Sequence, residues 1–326
     1  MPKNKVALAL GGGGARGYAH IGAIAEIQSR GYEIVGVAGT SMGAVIGGLY
    51  AAGALDQYTE WVSGLSRRDV AALFDLSISA PGTLKAEKVM AKVSGLLGGV
   101  DIEDLGIPFT ALAADIVAQK EIWFQDGPLD LALRASIAIP GVITPIVING
   151  QLLADGGLFN PLPLSPLAAV PADLVIAVSL SGPRRNSHVG SRVLAPKGSE
   201  ETSARFDIVK RAVALMSEQD ILGKINSRLN RGAPDAVKDI DRVVPSLIGE
   251  AIRQVPPGLR TMDVLELSVQ SMQSLIQRYQ IAAYPPDVLI EVPIDSCGVL
   301  EFYRAKELIE IGQTLTAKAL DKLAET

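Results

Sequence analysis

Residues 39–43 read Gly39-Thr40-Ser41-Met42-Gly43, a Gly-x-Ser-x-Gly pattern set where a predicted strand turns directly into a predicted helix. A tight turn of this kind forces the serine into a strained conformation that exposes its hydroxyl above the sheet, and the flanking glycines Gly39 and Gly43 relieve the backbone crowding. The amino end of the following helix points unpaired N–H groups into the same space, which favours developing negative charge. The chemistry this suggests is nucleophilic attack by Ser41 on an acyl carbon.

A second pattern, Gly11-Gly12-Gly13-Gly14-Ala15-Arg16-Gly17, follows the first predicted strand and precedes the first long helix. Consecutive glycines let the backbone turn several N–H groups toward one point, as an oxyanion hole requires, and let an ester carbonyl come close. The same residues also fit the dinucleotide fingerprint through Gly12, Gly14 and Gly17. That reading expects an acidic residue at the carboxyl end of the second strand, and the strand over 34–38 ends instead in Gly39-Thr40-Ser41. In a doubly wound sheet the carboxyl ends of neighbouring strands share a crevice, so the glycine loop and Ser41 are expected to face each other.

A serine nucleophile needs a base, and the two histidines are poor candidates. His20 lies inside the first predicted helix, where packing or a local hydrogen bond is expected, and His188 lies in a polar loop. Asp155, in Asp155-Gly156-Gly157, follows a hairpin-like segment over 146–153 and is the better base. On its own Asp-Gly-Gly is a turn signal.

These residues must be positioned by a sheet. Short apolar runs at 6–10, 34–38, 109–115, 121–124 and 174–179 alternate with helical patterns over the first 180 residues, which predicts a largely parallel sheet covered by helices. A helix is expected over 18–30, with Gly31 as its stop, and a second from Met42, rich in small residues. Composition shifts at Gly182: the stretch to 204 reads as a loop or linker, and 205–284 as wholly helical, interrupted at Pro234 and Pro256-Pro257. A further strand over 288–292 and a terminal helix over 303–324 close the chain. Three regions are therefore expected: 1–181 as catalytic core, 182–284 as a loop and helical insertion, and 285–326 as the closing strand and helix of the core. Within the insertion Met262, Leu265, Val269, Met272, Ile276 and Tyr279 alternate spacings of three and four and share one stripe. Such a stripe is read first as a face packed on the protein's own core; a dimer seam or a lipid-facing lid are the alternatives.

Composition narrows the partners. At 326 residues and 48% hydrophobic content the chain can bury a substantial core. A formal net charge of -5 with no long basic stretch argues against nucleic acid. Cys297 is the single cysteine, so no intramolecular disulfide can form. With His20 and His188 the only histidines, the composition argues against a zinc site built from Cys and His, and no carboxylate cluster has calcium-loop spacing. The apolar run at 6–10 is too short for a secretory signal, and no segment reaches bilayer-spanning length. The expectation is a cytoplasmic protein, compatible with peripheral membrane contact.

Taken together, the glycine loop, Gly-x-Ser-x-Gly and Asp-Gly-Gly, in this order, resemble the patatin-like phospholipase family, over roughly 6–181. The block Ala135-Ser136-Ile137-Ala138-Ile139-Pro140-Gly141 and the segment 286–311 add to the likeness. The resemblance implies an α/β three-layer sandwich with a mainly parallel central sheet, here carrying the helical insertion. It implies a dyad of Ser41 and Asp155 without histidine and an oxyanion hole from Gly12, Gly13 and Gly14. Gly11, Arg16, Gly17, Gly39, Gly43, Gly156 and Gly157 are implied as support. Arg16 would anchor its loop or bind a phosphate, with anchoring favoured. The implied substrates are lipid acyl esters (phospholipids, lysophospholipids or neutral esters), with no metal and no cofactor. An acyltransferase of related architecture is the nearest enzymatic alternative, but such transferases resemble one another in a histidine beside the serine motif and another late in the chain, neither present here. A lipid-binding or regulatory protein retaining the fold would be expected to have lost one of the three motifs.

Overall fold

The computed structural model describes residues 4–73, 75–76, 84–185 and 261–325. His188, the loop over 186–204 and the helical pattern over 205–260 lie outside the described residues. The chain divides into two compact units, one formed by 1–185 with 265–326 and the other by 186–264. Every described strand belongs to the first. Residues 265–284, assigned to the insertion from sequence, belong with this first unit as well.

Ten strands are described: β1 (Lys5–Leu10), β2 (Glu33–Thr40), β3 (Asp75–Leu76), β4 (Leu84–Lys85), β5 (Phe109–Asp115), β6 (Lys120–Phe124), β7 (Ile146–Ile148), β8 (Gln151–Asp155), β9 (Leu174–Gly182) and β10 (Val288–Pro293). The α-helices among the described residues are α1 (Ala19–Ser29), α2 (Met42–Ala51), α3 (Leu55–Ser63), α4 (Arg67–Leu73), α5 (Glu87–Leu97), α6 (Leu129–Ser136), α7 (Thr261–Ala283) and α8 (Ala305–Ala324). The main sheet has the order β10-β9-β1-β2-β5-β8-β7, with β6 also paired to β5. The pairs from β10 through β5 are parallel, and those of β5 with β6, β5 with β8 and β7 with β8 are antiparallel. The expected mainly parallel α/β architecture is therefore the observed one. β3 and β4 form a separate two-stranded pair.

Side-chain alternation along β1 sorts the layers. Val6, Leu8 and Leu10 face the larger core with α1, α2, α5 and α8, while Ala7 and Ala9 face a smaller core with Leu162, Leu164 and Leu167. Both faces are covered, as a parallel sheet requires, which makes three layers. The short hairpin between β7 and β8 turns through Asn149 and Gly150, both at positive φ (51° and 77°), the pairing that a two-residue hairpin loop favours.

One expectation fails. Of the stripe predicted to pack on the core, Leu265, Val269, Met272 and Tyr279 are exposed, Met272 by 63% and Tyr279 by 69%; Ile276 is half-buried, and Met262's side chain lies outside the described set. The face of α7 turned inward carries Gln273, Gln277 and Ile281, each four residues from the next. Gln273 and Gln277 donate to Gly157 O at 2.9 Å and to Ser179 Oγ at 2.8 Å, and Ile281 packs on the smaller core. The physical reason lies in what the helix covers. Near the carboxyl ends of the strands the underlying surface presents a carbonyl and a hydroxyl, so the packed face must supply donors there rather than methyl groups.

Candidate active site

β1 and β2 lie side by side in parallel register, Leu10 opposite Gly39, so the turns leaving both strands open on one crevice. At the end of β2 the chain reverses into α2 through Ser41, which adopts φ 55° and ψ -124°, a left-handed conformation that costs a non-glycine residue on the order of 1–3 kcal/mol. Two neighbours make that turn sterically feasible. A Cβ at Gly39 would overlap Gly43 O, and one at Gly43 would overlap Leu10 O. The Ser41 N–H donates to Ser136 Oγ at 2.8 Å, and Ser136 Oγ donates to Leu112 O at 2.6 Å, so α6 and β5 fix the backbone of the turn.

Asp155 ends β8, an antiparallel neighbour of β5 in which Asp155 sits opposite Ala113. Its N–H donates to Ala138 O at 2.9 Å. Its side chain caps the short helical turn Gly156–Leu158, with Oδ1 accepting from Gly157 N at 2.7 Å. The other oxygen, Oδ2, accepts a hydrogen bond from Ser41 Oγ. Burial pushes the Asp155 carboxyl up from 3.8 to about 6, against the pull of the bonds from Ser41 and Gly157. A carboxylate with that affinity for a proton is a better base than an exposed aspartate and is still largely ionised at neutral pH. The structure thus brings together the two residues, 114 positions apart, that sequence motifs had singled out separately.

The glycine loop meets this pair from the β1 side. Gly11 N donates to Val178 O at 3.0 Å, Gly12 N to Pro161 O at 3.0 Å and Ala15 N to Val299 O at 2.9 Å. Gly12 therefore spends its N–H on the scaffold, while Gly13 and Gly14 form no such backbone bond among the described residues. Each must be glycine for its own reason: a Cβ at Gly13 would stand 2.7 Å from Leu180 Cβ, and Gly14 has φ 59° with Val299 O 2.5 Å from its Cβ position. Gly12 approaches the nucleophile directly, its Cβ position lying 3.3 Å from Ser41 Cβ. Gly17 leaves room for Met42, whose side chain a Cβ there would overlap.

Arg16 is buried, and its guanidinium donates to three carbonyls: Nε to Leu180 O at 3.1 Å, and one terminal nitrogen to Ile294 O at 3.3 Å and Cys297 O at 3.2 Å. These bonds tie the loop to β9 and to the segment after β10, which is the anchoring arrangement. His20 is fully buried, with Nε2 2.8 Å from Gly11 O. The carbonyl requires Nε2 to carry the proton, and burial lowers the imidazole to about 4, so it is neutral at physiological pH and braces the loop.

Three residues in this network were assigned no role from the sequence: Ser136 beneath the nucleophile turn, Asn160, whose carbonyl accepts from Thr40 Oγ1 at 2.9 Å, and Gln273 on α7. Ser136 lies in the block that resembles the family, where its hydroxyl among apolar neighbours was the available hint. Beside Ser41 opens an apolar pocket whose lining includes Met42, Tyr58, Trp61, Met90 and Ile137. Tyr58 is 1% exposed, and burial raises its phenol well above the ordinary value, so the pocket presents no charge from it. Among the described residues no group of three or more His, Cys, Asp or Glu side chains is arranged to hold a metal ion, and no helix is long and apolar enough to cross a membrane.

Comparison with known proteins bears on this geometry. The family model described as patatin-like phospholipase matches residues 8–168. An uncharacterized NTE family protein of Mycobacterium tuberculosis is 44% identical over 333 aligned residues, covering 97% of this chain and 91% of its own. Patatin-like phospholipase domain-containing protein 7 of Mus musculus is 32% identical over 184 residues, covering 54% of this chain and 14% of its own. Lysophospholipase nte1 of Emericella nidulans is 26% identical over 322 residues, covering 98% of this chain and 18% of its own.

Proposed function

The chain belongs to the patatin-like phospholipase family, and from that premise we propose that it is a lipid acyl-ester hydrolase working through a Ser41–Asp155 dyad. The observation that carries the reading is the hydrogen bond from Ser41 Oγ to Asp155 Oδ2, made in a strained strand-to-helix turn at the mouth of an apolar pocket.

In the reaction, Ser41 Oγ attacks the ester carbonyl carbon while its proton passes to Asp155 Oδ2. The carbonyl oxygen, now negative, is held by the N–H groups of Gly13 and Gly14, the loop donors left unspent on the scaffold. Collapse of the tetrahedral intermediate breaks the bond to the leaving alcohol, which takes the proton from Asp155 and departs, leaving the acyl group on Ser41. Water then attacks the acyl carbon and gives a proton to Asp155. The second collapse releases the fatty acid, and the proton returns to Ser41 Oγ. The apolar pocket beside Ser41 suits an acyl chain. Phospholipids, lysophospholipids and neutral esters share that chain, and the name of the Emericella nidulans relative favours lysophospholipids as the first substrate to try. Each substrate is presented at an aggregated lipid surface, so peripheral membrane contact of a cytoplasmic enzyme belongs to the same proposal.

The test uses a fluorescent fluorophosphonate together with lysophosphatidylcholine and phosphatidylcholine turnover. Wild type should label and release fatty acid, and Ser41→Ala should do neither, with turnover reduced on the order of 10⁴-fold or to background. Fatty-acid release retained in a folded Ser41→Ala protein would remove the nucleophile assignment.

A further inference from the structure

The dyad aspartate needs more than a serine opposite it. A carboxylate can rotate about its last bond, and proton transfer requires one oxygen to stay aimed at Ser41 Oγ. That aim is set by the second oxygen, which is tethered to Gly157 N at 2.7 Å. The tether is only as fixed as Gly157, a residue with no side chain to pack. Gly157 is held from its other side by α7: Gln273 Nε2 donates to Gly157 O at 2.9 Å, and the same nitrogen lies 3.3 Å from where a Cβ of Gly157 would stand. Because a carbonyl can only accept, the amide nitrogen of Gln273 must face it, which fixes that side chain's orientation.

We propose that Gln273 is a positioning residue for the hydrolytic dyad, acting through Gly157 to keep Asp155 aimed at Ser41. The inference rests on the dyad reading above. It assigns a role in the site to a helix 116 residues along the chain from Gly157 and outside the 8–168 span matched by the family model. It also gives a reason for the polar inner face of α7. Gln277, one turn further on, provides an internal control: it donates to Ser179 Oγ at 2.8 Å and makes no hydrogen bond to Asp155, Gly157 or Ser41. Loss of either glutamine removes one anchor of the same helix, but only Gln273 leads to the base.

The experiment compares Gln273→Ala, Gln273→Glu and Gln277→Ala in the full chain. It measures thermal midpoint, kcat and KM for p-nitrophenyl butyrate, the pH profile of kcat, and the rate of fluorophosphonate labelling. Loss of the aim should lower kcat about tenfold in Gln273→Ala, with KM within about twofold, since misplacement of a reacting group acts on the chemical step. The acidic limb of the profile should move, and labelling should slow in parallel. Gln273→Glu keeps the shape of the side chain and loses the donor; it should show the same kcat loss and covers the case in which the alanine variant fails to fold. Gln277→Ala should lower the thermal midpoint while leaving kcat, labelling and the pH limb at wild-type values. The inference is overturned if the folded Gln273 variants keep wild-type kcat, labelling rate and pH limb, or if Gln277→Ala reproduces every Gln273 effect. Labelling keeps the two readings separable: a protein that labels at Ser41 but cleaves no lipid defeats the substrate assignment, and the labelling rates of the variants still decide the role of Gln273.

Discussion

The turn that carries Ser41 and the turn that carries Asp155 meet at one hydrogen bond, and they are held in different ways. Around Ser41 the constraints are chiefly steric. The serine sits at φ 55°, Gly39 packs on the backbone of Gly43 and Ala44, and Gly43 packs on the carbonyls of Leu10 and Gly11. Around Asp155 they are chiefly hydrogen bonds, to Ala138 O from its own N–H, from Gly157 N to its carboxylate and from Gln273 to Gly157 O. Gly156 is the steric exception on that side, with no room for a Cβ against Leu112 O. A close backbone contact tolerates no added atom, whereas a chain of hydrogen bonds can be weakened one link at a time. The nucleophile side should therefore fail abruptly and the base side by degrees.

The sharpest break of that comparison is at the base itself. Asp155→Asn keeps the shape and removes the proton acceptor, so kcat/KM should fall on the order of 10³-fold with the fold intact, as steady-state kinetics would show. The same substitution should alter stability with the opposite sign. Asp155's folded value of about 6 lies above 3.8, so the wild type's advantage from this group is present below pH 4 and lost as pH rises through 6. Denaturation from pH 4 to pH 8 should show Asp155→Asn gaining on wild type by on the order of 3 kcal/mol. A constant difference across that range would place the ionisation elsewhere.

On the nucleophile side, Gly43→Ala puts a methyl group into the Leu10 carbonyl and should cost about 3 kcal/mol or more, read as a lower denaturation midpoint with labelling lost in step. If that protein is stable and active, the steric account of the turn is wrong. The pH dependence of wild-type kcat/KM comes next in size: activity should rise about tenfold per pH unit below pH 6 and level off above it, because the base must be ionised. An acidic limb near pH 4 would indicate a carboxylate more hydrated than its burial implies. Ser136→Ala has the smallest expected effect. It leaves the Ser41 N–H without its acceptor, costing about 1–3 kcal/mol, and should lower kcat/KM about tenfold. A larger loss than from Asp155→Asn would show that the nucleophile turn, too, is held mainly by hydrogen bonds.

Much of this architecture was legible in the residues. The strand over 109–115 was read with the bounds observed, and the strands over 6–10 and 288–292 fell within one residue of the observed ends. Asn149-Gly150 marked its own hairpin, and the predicted terminal helix differs from α8 by two residues at its start. Arg16 was read as an anchor of its loop ahead of a phosphate ligand and His20 as packed or locally hydrogen-bonded, and both side chains bond to backbone carbonyls. By contrast, the spacing of Leu265, Val269, Met272 and Tyr279 pointed to a packed face that is in fact exposed. Hydrophobic periodicity assumes an apolar partner surface, and α7 lies instead over a carbonyl and a hydroxyl.

What the sequence by itself determined were the features governed by local sterics: where strands turn, which turns need glycine, and which serine and aspartate sit on them. Tertiary structure alone decided how those turns are held. It committed Gly12 N–H to Pro161, set Ser136 beneath Ser41 and brought Gln273 to the aspartate turn. Turn rules act between neighbours in the chain and leave a pattern there, whereas a hydrogen bond between residues 95 or more positions apart requires only a donor and an acceptor that folding brings within about 3 Å.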